Sequence, residues 1–535
     1  MWWQTALCIV CASAVQSYQF PPGFKFGAAT AAYQVEGAWN VSDKSENIWD
    51  HFVHSDPSRI ADRSSGDVAC DSYKHWKRDV EIAKELGLHF YRFSIGWTRL
   101  LPKGFANYVS EDGKRYYNDL IDALLEKGIE PVVTLYHWDL PQSLQDLGGW
   151  TNSQVSDWFA DYARVAFNLF GDRVKTWITL NEPLIFCEIS YNTGTHAPGV
   201  LSPGIRNYIC NKNAILAHAK AWRIYDEEFR HICHGKISLT NHYIWYERAD
   251  ENEDEATEIA KQFMAMYAHP IFSKSGGWHP IIEKLVEEKS KEEGLTQSRL
   301  PAFTEEEIDF IKGTYDFFGL NYYTARIVRK AQADDIIGPW PLMGNKDGNI
   351  VLSVNPDWQR AATEWFYIYP EGLRLQLQWL IEQYGDIEIY IMENGFANNS
   401  TLDDDDRVQY YKEHLEQVLL VINEDRINVT RYTAWTMLDN FEWADGYKPK
   451  FGLYQVDFED PERTRRPRAS ACYYSNCASM RSPPAGTDSR PTYIKNLARQ
   501  LELSGRLAGL LTRRTKSGWA PRHITHSPVR LHHES

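Results

Sequence analysis

The segments TLNEP, Thr179–Pro183, and IMENG, Ile391–Gly395, each set a glutamate directly after an apolar, β-prone run, VKTWITLN and IEIYIM. Glu182 is followed at once by Pro183, and Glu393 by the pair Asn394 and Gly395, so each strand breaks just past its carboxylate. A carboxylate at the carboxyl end of a buried parallel strand is where a (β/α)8 barrel keeps its chemistry. Two such carboxylates facing each other are the minimum equipment for cleaving a glycosidic bond. A single NEP or ENG reads more simply as a turn after a strand. Two of them, placed correctly in an eight-strand count, reverse that preference.

The count can be made outward from these segments. Short β-rich runs fall at Phe26–Ala32, His89–Ile95, Glu130–Tyr136, Lys175–Asn181, Lys236–Asn241, Phe317–Tyr322, Ile387–Met392 and Thr430–Leu438. Most are apolar enough to be covered on both faces, as a parallel sheet requires. Between them lie amphipathic helical patterns at Trp76–Leu86, Tyr117–Lys127, Trp158–Leu169, Pro370–Tyr384 and Val408–Asn423, with apolar positions recurring at three and four. Eight β-then-α repeats predict an α/β fold, a single (β/α)8 TIM barrel with elaborated carboxyl-face loops. A doubly wound sheet fits less well, and no glycine-rich dinucleotide loop follows the first strand. Glu182 and Glu393 fall on the fourth and seventh strands, whose ends face each other across the barrel mouth. Two connections are longer than a plain barrel needs: the acidic stretch Glu247–Glu258, which leads into a helical region, and Ala331–Ala362. The second follows the sixth strand and is expected to line the pocket.

Composition bounds the partners. The formal charge of −15 argues against nucleic acid, and no internal apolar run approaches a membrane span. The 20 Trp and 30 Tyr fit a large core, and equally fit sugar binding through aromatic stacking. The apolar start of the chain, with small residues suited to cleavage after Ser17 or Ala14, reads as a secretory signal peptide over residues 1–17, although it lacks the usual basic n-region. The barrel then spans 18–481. From Ser482 to Ser535 the chain turns basic and loses strand-helix alternation, which reads as a disordered tail. Six cysteines, Cys70, Cys187, Cys210, Cys233, Cys472 and Cys477, follow the signal segment, with pairing left open. Sequons at Asn40, Asn398, Asn399 and Asn428 agree with a secreted protein, including one delivered to a gut or lysosome-like lumen.

Hydrolysis of an acetal needs a proton on the leaving oxygen and electron density at the anomeric carbon, so one carboxyl must be protonated and the other ionised. The motifs between and around the two glutamates bring a family into view. FKFGAATAAYQVEGAW (Phe24–Trp39), YRFSIGWTRLLP (Tyr91–Pro102), HWDLP (His137–Pro141), TLNEP, FFGLNYYT (Phe317–Thr324), MENG and WTMLDNFEWADGY (Trp435–Tyr447) occur in order. Together they resemble glycoside hydrolase family 1, the retaining β-glucosidases, most of all secreted animal and insect forms.

The resemblance implies hydrolysis of terminal non-reducing β-D-glucosyl residues in carbohydrate metabolism. Glu182 would be the acid/base and Glu393 the nucleophile, roughly 5–5.5 Å apart. Asn181 would hold the sugar 2-hydroxyl, while Arg92 and Tyr323 would steady ionised Glu393. Arg92 in an apolar strand also needs a carboxylate partner for its own sake. Gln34, His137, Asn181 and Glu442 would bind sugar hydroxyls, with Trp435 as stacking floor and Trp443 as an indole donor. No metal or organic cofactor is implied.

One neighbour departs from the family pattern. Met392 stands where Thr is common, and strand alternation predicts that its side chain points away from Glu393.

Three other activities bear on these residues. A noncatalytic sugar-binding relative would usually have lost one glutamate. A thioglucosidase remains compatible, since insect forms can keep the acid/base glutamate. A 6-phosphoglycosidase is disfavoured by the charge of Glu442. Glucose against galactose or fucose preference, the aglycone and the oligomeric state are not legible.

Overall fold

The computed structural model describes residues 18–399 and 402–480. The expected signal segment 1–17 and basic tail 482–535 lie outside the described residues. Eight parallel strands close on themselves: β1 (Lys25–Ala29), β2 (Phe90–Ser94), β3 (Glu130–Tyr136), β4 (Thr176–Asn181), β5 (Lys236–Arg248), β6 (Phe318–Lys330), β7 (Ile389–Asn394) and β8 (Val429–Ala434). Their order is 5-4-3-2-1-8-7-6, and the β5–β6 pairing shuts the ring. The larger helices that follow the strands are α1 (Ser72–Glu85), α2 (Glu111–Glu126), α3 (Val155–Phe170), α4 (Arg206–Ile224), α5 (Asp254–Met264), α6 (Pro370–Tyr384), α7 (Asp405–Asn423) and α8 (Ala469–Met480). The (β/α)8 expectation therefore holds strand by strand.

Two cores make this arrangement stable. The large one packs helices on the outside of the barrel. A small one, Phe90, Val132, Ile178, Phe317, Tyr390 and Met392, fills the barrel interior. Beneath it Arg431 lies over the Phe90 and Tyr390 rings, 5.3 and 4.6 Å from their centroids. Its charge is met by Glu130 at 3.0 Å, which also accepts from Lys25 and Thr176. This charged layer closes the barrel interior at its amino end.

Three strands end four residues or more from where they were expected to. β5 and β6 continue past the barrel, because their second halves pair with each other and β6 also takes up the antiparallel segment Ile350–Ser353. Tyr, Trp, Ile and Val in these extensions favour strand throughout, so the sequence shows no break. β8 stops at Ala434, where the backbone turns to bond Phe451 and Leu453 through Thr436.

Among the expected glycosylation acceptors, Asn40, Asn399 and Asn428 are exposed. Asn398 is buried, with its amide hydrogen-bonded to Asp406 and Arg407, so its side chain is not accessible to a transferase in this fold. Among the described residues one disulfide is formed, Cys187–Cys210, while Cys70, Cys233, Cys472 and Cys477 are free. No helix among the described residues is long and apolar enough to cross a membrane.

Candidate active site

A cavity of about 450 Å³ opens at the carboxyl end of the barrel. Glu182, Glu393, Asn181, His137, Tyr323, Trp435, Glu442 and Trp443 all line it, as do Trp340 and its neighbours from the Ala331–Ala362 connection. Arg92 and Gln34 do not line it; they stand behind residues that do.

Both strand ends reach the cavity through irregularities. Between Ile178 and Asn181 the pairing of β4 with β5 slips by one residue, which turns Asn181 onto the inward face. Glu182 then adopts a left-handed conformation, φ 48°, and caps the short helix Pro183–Glu188. A non-glycine residue held there stores strain of the order of 1–3 kcal/mol, a frequent signature of functional positions.

On β7 the register slips beside Met392, against both β6 and β8. This overturns the expectation that Met392 points away from Glu393. The bulge breaks the alternation, so Met392 joins the interior core directly under the site while Glu393 takes its place at the mouth. Gly395 follows because a Cβ there would sit 1.7 Å from the Trp435 carbonyl oxygen.

The two glutamates differ in their partners. Glu393 accepts from Arg92 Nη1 at 2.8 Å and from the Tyr323 hydroxyl at 2.8 Å. Arg92 also donates to the Met392 carbonyl at 3.0 Å and to Asn181 Oδ1 at 2.6 Å, and Thr134 receives its Nε at 3.1 Å. Glu182 Oε1 accepts from Asn321 Nδ2 at 2.6 Å and lies 3.3 Å from His242 Nδ1. Burial raises the Glu393 carboxyl above the usual range; Arg92 opposes this, Glu182 adds to it, and the Tyr323 bond again opposes it. A guanidinium and a phenol favour the ionised form at Glu393.

A chain of fixed amide orientations sets one further donor. Arg92 and Asn321 both donate to Asn181 Oδ1, so Asn181 Nδ2 is left to donate to His137 Nε2 at 3.0 Å. Burial, with Arg92 adding, holds His137 well below the ordinary imidazole range. The neutral ring must then carry its proton on Nδ1, which has no partner. His137 also stacks on Trp435 and Trp443, with ring planes 25° and 26° apart. Glu442 is pushed well up, chiefly by burial and then by Asp445, Glu393 and Glu182; Gln34 Nε2, 3.5 Å away, opposes this.

Asn321, His242, Trp138 and Thr134 were not singled out from sequence. Asn321 was within reach, since it lies two residues before Tyr323 and so on the same face of β6. His242 falls just past the expected strand end at Asn241, although the Tyr243–Tyr246 run beyond it favours strand.

The same conclusion comes from known proteins. The family model described as Glycosyl hydrolase family 1 matches residues 16–482. Myrosinase 1 of Brevicoryne brassicae is 45% identical over 471 residues, covering 87% of this chain and 100% of that protein. The cytosolic β-glucosidase of Homo sapiens is 41% identical, covering 85% and 97%. Among solved structures, an aphid myrosinase superposes with a TM-score of 0.83 at 44% identity, covering 87% of this chain and 100% of that one. A rice β-glucosidase does so with 0.79 at 37% identity, covering 86% and 99%, and a mutant of it is solved in a covalent complex with Glc. This chain belongs to glycosyl hydrolase family 1.

Proposed function

We propose that the protein is a retaining β-glucosidase acting on terminal β-D-glucosyl residues. Glu393 attacks the anomeric carbon as the C1–O bond breaks, while Glu182 delivers its proton to the departing oxygen. Water then gives a proton to Glu182 and attacks C1, releasing Glu393 and the sugar with its configuration retained. The observation that carries this reading is the unequal support of the two carboxyls, with two donors that favour charge on Glu393 and an amide on Glu182. His137 Nδ1–H and Glu442 are the groups left to meet sugar hydroxyls, and the Trp435 indole offers an apolar face. A rice relative that holds Glc covalently supports the two-step route.

The similarity to aphid myrosinase favours a second reading, thioglucoside cleavage. The charge of the cavity weighs against it. Its described lining carries Glu182, Glu393, Glu442 and Asp445 but no Lys or Arg, so no cationic side chain on its wall would pair with an anionic aglycone. Secretion is supported by the Cys187–Cys210 disulfide, which needs an oxidising compartment to persist; exposed Asn40, Asn399 and Asn428 are then the glycosylation sites.

The test is a panel of nitrophenyl β-glycosides beside sinigrin, with the anomer of the first product followed by NMR. We expect the β-glucoside to be cut best, with the β-anomer of glucose appearing first. An initial α-anomer would rule out retention, and sinigrin cut faster than every O-glucoside would make this a thioglucosidase.

A further inference from the structure

The short helix Pro183–Glu188, capped by Glu182, and the π turn Ile189–Thr193 that extends it run between two cavities. Ile185, Ile189 and Thr193 line the active-site cavity. Leu184, Glu188 and Asn192 line a second one of about 420 Å³, which opens behind Trp340. A helix this short has little stability of its own and depends on what it packs against. Two of its faces border cavities, so the rest must hold it in place.

Those faces carry two ties to α4. Cys187 is bonded to Cys210 of α4, and both are fully buried. The next residue, Glu188, accepts from Asn207 Nδ2, also on α4, at 2.9 Å. Phe186 adds packing on the Tyr136 and Trp150 rings, each 5.2 Å away between centroids. α4 is anchored in turn to the strand that ends just before Glu182. His218 Nδ1 lies 2.7 Å from Thr179 Oγ1 of β4, and His218 Nε2 lies 2.7 Å from the Thr314 carbonyl oxygen. β4, the short helix and α4 therefore form a closed loop with Glu182 at one corner.

Glu182 is coupled to the position of this helix. Its carbonyl oxygen accepts from the Ile185 and Phe186 N–H groups at 3.0 and 3.2 Å. On the barrel side its own N–H donates to the Thr240 carbonyl at 2.8 Å. A shift of the helix therefore turns the backbone from which the carboxyl projects. Glu393 has no such coupling, because it lies within β7 between β6 and β8. Proton transfer needs hydrogen-bond contact, and a misplacement of about 1 Å costs on the order of 10²-fold.

We propose that the Cys187–Cys210 disulfide, with the Glu188–Asn207 bond beside it, is a positioning device for Glu182: it holds the helix that this residue caps against α4 and so keeps the carboxyl at the leaving oxygen. The inference rests on the proposed hydrolysis for the role of Glu182. Proton delivery depends on the tie, and attack by Glu393 does not. Loss of the tie therefore slows each substrate according to its need for a proton.

The test compares kcat/KM, which reports the first step alone, for phenyl and 2,4-dinitrophenyl β-glucoside. The phenoxide needs a proton to leave well, and the dinitrophenolate leaves without one. In the double variant Cys187→Ala/Cys210→Ala the phenyl-to-dinitrophenyl ratio should fall about tenfold, part of the ~10²–10⁴-fold that a general acid contributes. Asn207→Ala removes the second tie, keeps the disulfide and should lower the same ratio by a smaller factor. Val286→Ala, at a fully buried position on the separate helix Pro280–Glu292, should lower the melting temperature and leave the ratio unchanged. A ratio taken within one sample is insensitive to the fraction folded. An unchanged ratio in the double variant, or an equal fall in Val286→Ala, overturns the inference and leaves the hydrolysis standing. Should the double variant not fold, the Asn207→Ala ratio decides in the same two ways. A wild type that cuts neither glucoside overturns the hydrolysis and this inference with it.

Discussion

Glu182 at the end of β4 and Glu393 at the end of β7 are the same residue in the same kind of place, yet they are wired differently. Glu393 receives a guanidinium and a phenol, both fixed in the barrel wall. Glu182 receives the amide of Asn321 and stands near the imidazole of His242. A charge on Glu393 is balanced by the Arg92 guanidinium, whereas the partners of Glu182 are an amide and an imidazole. Under the proposed mechanism, role follows from second neighbours and not from residue type, as in other paired carboxylates that one environment drives apart.

Four experiments can break that comparison. Glu393→Gln should have the largest effect, with kcat down on the order of 10⁴-fold or more, measured on nitrophenyl β-glucoside; full activity would remove Glu393 from the nucleophile's place. Glu182→Ala should cost about 10²–10⁴-fold on glucosides with poor leaving groups and much less on activated ones. Azide should rescue it with a β-azide product, and an α-azide would contradict retention.

Tyr323→Phe removes one hydrogen bond to a charged group, worth about 1.5–3 kcal/mol, and should lower kcat/KM by roughly 10- to 100-fold. The hydroxyl favours ionised Glu393, so its loss raises that carboxyl further, and the acidic limb of the pH profile should move to higher pH. A limb that stays in place would show that Tyr323 does not hold the charge.

The smallest effect sharpens the contrast with a carboxyl that has neither kind of support. Asp139 is buried, its Oδ1 has no donor, and burial followed by Glu36 pushes it up to about 8. The folded protein therefore keeps a proton that the unfolded chain gives up near pH 4. Stability from this residue is complete below that point, declines as pH rises, and is gone above about 8. Asp139→Asn should melt with the wild type at pH 5 and roughly 2 °C above it at pH 8. Equal melting at both values would mean Asp139 is not held protonated.

What could be read beforehand followed periodicity. The alternation of apolar strands with helices is a local pattern, and every one of the eight strands was found near its expected place. Failures came where two segments distant in sequence meet. β5 and β6 lengthen because each supplies the other's hydrogen bonds beyond the barrel. Glu393 faces the site directly after inward Met392 because the neighbouring strands impose a bulge on β7, where strand alternation alone sets the two on opposite faces. Cys187 pairs with Cys210 because the short helix after Glu182 comes to lie against α4, a proximity that spacing cannot show.

The sequence by itself determined the barrel, the family and the pair of strand-end glutamates, because periodicity and breakers are written residue by residue. Only the tertiary structure decided what surrounds each glutamate, which proton His137 carries, and that a second cavity opens behind Trp340. Those outcomes depend on which donors from separate strands converge within hydrogen-bond reach of one atom, and such distances arise only when the ring closes.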